Sequence, residues 1–335
     1  MKKRPTISDI ARAADVSMMT VSRAMNNKPG VSDAVRQRIQ ALADELGYRP
    51  SMIARSLATR QTATIGLVVP DIANPFFSHI ARGAEDAGYR RGYNLVLMNT
   101  AEDLDREVAA LDSLWQNEVD GAILCSSRLP IDELETHVER LPAAVLVNRM
   151  LSAALPATAT INVNDTLGAQ QAVAHFVSRE RTRIAILAGP VYSISGQRRL
   201  DGYRAGLAAA SLVFDPVMLE HCAPDFQGGY AGMNALLARR PRINAVFAFN
   251  DLVAAGAIEA CQEQGKHVPD DIAVIGVDDT PLATMIRPRL TTVRVDLAGI
   301  GQLAMDTLLA IIDEADELAA DALQVDPELV VRESA

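Results

Sequence analysis

The chain is poor in the residues that usually announce a chemistry. Among 335 residues there are three cysteines, one tryptophan and five histidines, and aromatics make up 4%. Cys125, Cys222 and Cys261 are odd in number and far apart, so free thiols in a reducing compartment are expected rather than a disulfide framework. His79, His137, His175, His221 and His267 are scattered without metal-ligand spacing. No G-x-G-x-x-G follows an apolar run, and neither a P-loop lysine motif nor a G-x-S-x-G elbow occurs, which speaks against a nucleotide-dependent enzyme or a serine hydrolase. No run reaches the length of a membrane span. Met1-Lys2-Lys3-Arg4 has the basic start of a signal peptide, but polar helix-forming residues follow it and no apolar segment does. The expectation is a cytoplasmic protein with no cofactor, no metal and no membrane partner.

Charge is present but unevenly placed. Residues 1–60 hold eleven Lys/Arg against five Asp/Glu, a balance of +6 within a chain of net −10, so the rest carries −16. A basic head on an acidic body suits a polyanion at one end only. Residues 5–26, PTISDIARAADVSMMTVSRAMN, fit a helix-turn-helix. Ser8 or Asp9 is placed to cap a first helix with Ile10, Ala13 and Ala14 inward and Ile7 just before it. Asp15-Val16 makes the turn, and Ser17 caps a second helix with Val21, Ala24 and Met25 inward. Two such short helices need a third to bury against, and residues 32–46 supply it with Val35, Ile39, Leu42 and Leu46 at helical spacing. A trihelical unit of this kind presents its second helix to the DNA major groove.

Gly47-Tyr48-Arg49-Pro50 ends the third helix. The short stretch 51–59 then leads through Gln61 to Thr64 into apolar runs that alternate with helical stretches to the end of the chain. Continuous apolar strands separated by helices imply parallel sheets covered on both faces, and about ten of them imply two α/β lobes. The expected division is a headpiece at 1–50, a hinge and linker at 51–62, a first lobe at 63–162 with 294–321, and a second at 163–293 with 322–335. Residues 315–324, acidic and Ala-rich, read as a solvated helical extension or loop without the leucine heptads of a coiled coil.

Eleven segments in fixed order carry a family resemblance: TISDIARAADVS, TVSRAMN, VSDAVRQRI, ELGYRP, ARSLAT, IGLVVPDIANPFF, VDGAIL, RRLDGYRAGL, FAFNDLVAAGAI, IAVIGVDD and RPRLTTV. With them the chain resembles the LacI–GalR transcriptional regulators from end to end. The resemblance implies a headpiece joined to a two-lobe core like that of periplasmic binding proteins. It also implies a homodimer on a near-palindromic double-stranded operator and a small-molecule effector in the interlobe cleft. Thr6, Ser17, Met18, Met19, Thr20, Ser22, Arg23 and Asn26 then fall at DNA-contacting positions. The stretch 51–59 becomes a hinge helix whose Leu57 enters the minor groove as a wedge, with Arg55 beside it; an ordinary interface leucine is the alternative. Met18 and Met19 depart from the polar pair often found there. An apolar side chain meets a thymine methyl but makes no bidentate hydrogen bond to a purine. Burial of one methionine in the headpiece core is the competing reading.

The resemblance places the effector pocket at Phe76, Phe77, Asn148, Arg149, Arg199, Phe226, Asn250 and Asp278. An arginine fork, a carboxylate and amides satisfy vicinal hydroxyls, while an aromatic face covers the apolar side of a sugar or base. Asp71, Asp251 and Asp279 have an alternative reading as helix caps, and Arg198 as a solvent-facing neighbour of Arg199. Asn148-Arg149 stands where many neutral-sugar relatives carry an acid, which favours a sugar acid or phosphorylated sugar. A solute-binding protein or a cytosolic α/β enzyme with the same cleft is the rival from another class.

Overall fold

The computed structural model describes residues 5–25, 27–48, 61–239, 242–314 and 322–335. It divides into two compact units, residues 1–62 and 63–335. The expected hinge, with Arg55 and Leu57, and Asn26 in the headpiece lie outside the described residues.

The first unit holds α1 (Ile7–Ala14), α2 (Met18–Met25) and α3 (Asp33–Leu46). Its core is Ile10, Ala11, Ala14, Val21, Ala24, Ile39 and Ala43. Ala11 takes the inward place expected of Ala13, which is exposed, and Ala43 that expected of Leu46. The cap of α1 is Thr6 rather than Ser8 or Asp9: the Asp9 carboxylate accepts from the Thr6 N–H at 2.9 Å and from its hydroxyl at 2.7 Å. This reciprocal pairing starts the helix two residues earlier than a cap at Ser8 would. Asp15 closes α1 at φ +52°, which turns the chain directly into α2.

The second unit contains two six-stranded sheets. In chain order it runs β1 (Thr64–Val69), α4 (Pro75–Arg90), β2 (Asn94–Asn99), α5 (Leu104–Gln116), β3 (Gly121–Cys125), α6 (Ile131–Val138), β4 (Ala144–Val147) and β5 (Thr158–Val163). The second lobe follows with α7 (Asp165–Ser178), β6 (Ile184–Ala188), α8 (Ile194–Ala209), β7 (Leu219–His221), α9 (Phe226–Arg239), β8 (Ala245–Ala248), α10 (Asp251–Glu263), β9 (Ala273–Asp278), α11 (Leu282–Met285) and β10 (Thr291–Arg294). The chain then returns through α12 (Leu297–Glu314), β11 (Leu323–Val325) and β12 (Glu328–Val330). The first sheet has the order β11-β5-β4-β3-β1-β2, the second β12-β10-β9-β8-β6-β7. Pairing is parallel except at one edge, where β12 runs antiparallel to β10. The inner strands of each sheet are buried by helices on both faces, which is why they read as unbroken apolar runs.

The chain crosses between lobes three times. The first two crossings fall after β5 and after β10, near the expected positions. The third falls after Val325, later than the expected 322, because Leu323, Gln324 and Val325 pair with β5 in the first sheet. Those three short-strand residues were masked in the sequence by the acidic, Ala-rich run before them. Where α4 crosses α12 the backbones nearly touch: a Cβ on Gly83 would lie 1.9 Å from the Ala298 carbonyl oxygen, and one on Gly301 2.0 Å from that of Ile80. No side chain larger than hydrogen fits at either position. Among the described residues, no helix is long and apolar enough to cross a membrane.

Candidate functional site

In the headpiece, Ser17 immediately precedes α2. Its hydroxyl accepts from the Thr20 N–H at 3.1 Å and lies 2.9 Å from the Thr20 hydroxyl, so both side chains fix the helix start. Met18 and Met19 point outward, 56% and 66% exposed, and neither belongs to the core. Arg23 is exposed on the same helix, and Thr6 stands at the start of α1. Sequence reasoning missed Arg36. From α3 it donates to the carbonyls of Ala24 (2.9 Å) and Lys28 (3.0 Å) and to Asn27 Oδ1 (3.1 Å). It thereby holds the last turn of α2 and the loop after it. No short-range pattern announces a bridge of this kind.

In the core, a cavity opens between the lobes, at the C-terminal edges of both sheets. Of the residues named for the effector pocket, Phe76, Phe77, Asn148, Arg199, Asn250 and Asp278 line it. Phe226 does not: it opens α9 and is 38% exposed. The aromatic in its place is Phe249, at the end of β8, with the Arg199 guanidinium 4.9 Å from its ring centre. Gly189 makes room for that ring, since a Cβ there would lie 2.4 Å from it. Arg149 is also outside the lining and faces a neighbouring hollow with Arg198.

Three strand ends turn sharply at the cavity. Ser126 follows β3 at φ +48°, Asn148 follows β4 at φ +56°, and Asp278 ends β9 at φ +109°. Non-glycine residues in this region cost about 1–3 kcal/mol each and persist where surrounding structure holds them. All three line the cavity.

Arg199, 5% exposed, organises the second lobe's wall. Its Nε donates to Asp165 Oδ1 at 2.8 Å, Nη1 to the Phe249 carbonyl, and Nη2 lies 3.9 Å from Asp278 Oδ1. Asp278 Oδ1 is buried without a hydrogen-bond partner. Burial raises the Asp278 carboxyl well above the ordinary carboxylate value; Arg199 opposes this, and Asp251 and Asp165 add to it. The two asparagines have spent their oxygens inside the protein. Asn148 Oδ1 accepts from the Val163 N–H (3.0 Å), and Asn250 Oδ1 caps α10 through the Val253 N–H (2.8 Å) while Nδ2 holds the Pro224 carbonyl. What remains of both amides is N–H. The cavity therefore offers an unmet carboxylate acceptor beside amide donors, between the rings of Phe76, Phe77 and Phe249. That is a recognition set for a polyhydroxylated ring.

The first lobe adds groups that the sequence did not reveal. Arg128 reaches Glu102 through Nε (2.7 Å) and Nη2 (2.9 Å) and places its guanidinium 5.6 Å from the centre of the Tyr192 ring, on the opposite lobe. Glu102, Ser126, Arg128, Asn74, Ser193 and Ser195 all line the cavity. Phe249 carried a signal, since it sits beside Asn250 in the quoted FAFNDL. The Arg128–Glu102 pair joins positions 26 apart and carried none. The proposed caps resolve differently too: α4 is capped by Asn74, and Asp71 holds the Ala73 N–H instead. Asp251 is the first residue of α10, accepting from Thr280 and Thr292, and Asp279 pairs with Arg294 and Arg332.

Known proteins share both units. A family profile described as "Bacterial regulatory proteins, lacI family" matches residues 6–51, and one described as "Periplasmic binding proteins and sugar binding domain of LacI family" matches residues 62–330. The ribose operon repressor of Escherichia coli (strain K12) is 37% identical over 330 residues, 98% of this chain and 99% of that one. The crystal structure of the lac repressor dimer bound to operator and the anti-inducer ONPF superimposes with a TM-score of 0.90 at 26% identity, covering 99% of both chains. A LacI family regulator from Enterococcus faecium with bound ribose gives 0.73 at 27% identity, over 81% of this chain and 98% of the other. With both profiles matched in order and a curated relative aligned along nearly its whole length, the chain belongs to the LacI family of bacterial transcriptional regulators.

Proposed function

We propose that this protein is a cytoplasmic repressor that binds a near-palindromic double-stranded operator as a homodimer and is controlled by a monosaccharide-sized carbohydrate in the interlobe cavity. The observation that carries the reading is the union, in one chain, of an exposed recognition helix with a cleft holding an unmet carboxylate among amide donors and aromatic rings. On the DNA side, Met18 and Met19 read base edges by apolar contact, which favours thymine methyls. Thr20, Ser22 and Arg23 follow on the same helix, and Thr6, Ser17 and Asn26 serve the phosphate backbone. Arg55 and Leu57 act at the operator centre. On the effector side, Arg199 and Asp278 clamp adjacent hydroxyls, Asn148 and Asn250 donate to others, and Phe76, Phe77 and Phe249 cover the ring. The relative named for the ribose operon and the neighbour holding ribose support a pentose as the first class to try. Val96 and Leu97, exposed on the edge strand β2, support a second copy as partner.

A mobility-shift titration tests this. The full chain is mixed with DNA selected from a random pool, with and without pentoses, hexoses and their acids. A selected near-palindrome bound two chains at a time, with affinity changed by one sugar class, is the expected outcome. Binding without sequence preference, or as a single chain, contradicts it.

A further inference from the structure

The second lobe's wall of the cavity gathers three buried acids around one buried base. Asp165 opens α7, Asp251 opens α10, Asp278 ends β9 and Arg199 stands on α8. Each of the four is 5% exposed or less. Among the described residues, Arg199 is the one cation within ion-pair distance of any of the three acids. The neighbouring charges are matched elsewhere. Arg294 and Arg332 pair with Asp279, at 2.7 and 2.6 Å, and Arg294 also with Glu328. Arg198, beside Arg199, turns to Asn162, and across the cleft Arg128 is held by both oxygens of Glu102. With every group ionised, this corner holds two negative charges in excess, shielded from water. Buried charge of that kind is costly, and a proton on one carboxyl relieves it.

The hydrogen bonds single out one of the three carboxyls. Asp251 Oδ1 accepts from the Thr292 hydroxyl (2.6 Å), and its Oδ2 from the Thr280 N–H (2.7 Å) and hydroxyl (3.0 Å). Three donors aimed at one group favour its ionised form. Asp165 Oδ2 is buried without a partner, but Oδ1 receives the Arg199 Nε–H at 2.8 Å. Asp278 has less. Arg199 Nη2 stands 3.9 Å from its Oδ1, beyond a hydrogen bond, and that oxygen is buried with no partner. Burial raises the Asp278 carboxyl, with Arg199 opposing and both other acids adding to the rise. Burial raises Asp251 too, but there the three hydrogen bonds oppose it. The carboxyl with the poorest hold on its charge is therefore the one that lines the cavity.

We propose that Asp278 carries a proton while the cavity is empty and releases it when a polyhydroxylated ligand binds, which ties effector affinity to pH. The carboxyl O–H bond breaks, the proton passes to water, and the carboxylate accepts from ligand hydroxyls in its place. The empty protein holds this proton more tightly than the complex does. Affinity therefore rises with pH until the empty protein has lost the proton, and is flat above that point. The release rests on the main cavity as the effector site; the proton in the empty protein does not.

Calorimetric titration of the full chain with D-ribose near neutral pH, in two buffers of different ionisation enthalpy, counts the protons exchanged. Infrared spectra of the same protein, empty and with ribose, show the carbonyl stretch of protonated carboxyls directly. The expected result is net proton release, with affinity strengthening by about tenfold per pH unit where a whole proton leaves. A component of the carboxyl band is present in the empty protein, disappears on binding and is missing from Asp278→Asn. Ribose bound without proton release, or with uptake, overturns the proposal and leaves the carbohydrate reading intact. A band unchanged by Asp278→Asn places the proton on another acid and overturns it as well. Should ribose not bind, the carbohydrate reading fails, and the band in wild type against variant still decides whether Asp278 holds the proton. If the variant does not fold, the proton count and the loss of band intensity on ribose binding in the wild type carry the comparison.

Discussion

The two surfaces proposed for recognition are built in opposite ways. On the headpiece the groups that fix the scaffold and the groups offered to a ligand are mostly different residues. Thr6 with Asp9, Ser17 with Thr20, and Arg36 set the helices, while Met18, Met19 and Arg23 stand free of the core in solvent. In the cavity they are the same residues. Arg199 holds Asp165 and the Phe249 carbonyl while facing the ligand space, and Asn250 caps a helix with the amide it presents. An exposed surface of this kind tolerates exchange of its reading residues, because their loss costs little folding energy. A cavity made of buried charges does not, since each charge needs its partner.

Substitutions sharpen this contrast. Arg199→Ala leaves Asp165 and Asp278 buried without their cation, so it is expected to cost about 3–5 kcal/mol of core stability and to abolish effector binding. Urea denaturation and calorimetry read both; a loss of binding with stability unchanged would break the claim that one residue does both jobs.

The buried carboxylates also predict a pH dependence. Burial raises Asp251 from 3.8 to about 7, against hydrogen bonds from Thr292 and Thr280. A raised carboxyl binds its proton more tightly in the folded state, so its contribution falls as pH rises from the unfolded value through the folded one. Asp251→Asn removes that dependence. Its stability relative to wild type is expected to climb between pH 4 and 7 by an amount on the order of 2 kcal/mol, measured by thermal unfolding in matched buffers. A flat difference would contradict the assignment.

On the headpiece, Arg36→Ala removes a charged donor from the carbonyls after α2 and is expected to cost about 1.5 kcal/mol, with weaker binding to every DNA sequence. Met19→Ala is expected to move headpiece stability by less than about 0.5 kcal/mol while changing operator affinity about tenfold, or about 1.4 kcal/mol, and leaving random DNA unaffected. A large stability loss in Met19→Ala would mean that the reading face is part of the scaffold after all.

The same contrast decides what was legible in the sequence. The headpiece's three helices followed from spacing, whereas the outward places of Met18 and Met19 came from the family resemblance. The misplaced cap, Thr6 for Ser8 or Asp9, is an error of two or three residues, and Arg36 was missed because it reaches across the loop. The lobes followed from apolar runs, but β11 did not, since three residues beside an acidic run give no periodicity. In the cavity, the expected residues at strand ends, Asn148, Asn250 and Asp278, line one space. Arg128 with Glu102, and the exchange of Phe226 for Phe249, depend on which side chains converge from distant strands. Arg149 shows the limit well: its position beside Asn148 was right, but successive residues at a turning strand end face different spaces.

The central claim is that ligand held by Arg199 in the core changes what the headpiece does on DNA. The most direct measurement is the affinity of the full chain for its selected operator, by fluorescence anisotropy, with and without saturating D-ribose, for wild type and Arg199→Lys. The account predicts a change of at least about fivefold in the wild type, the usual lower range of allosteric coupling, and none in the variant. An equal change in both proteins, or a sugar that binds the wild type and leaves operator affinity untouched, would contradict it.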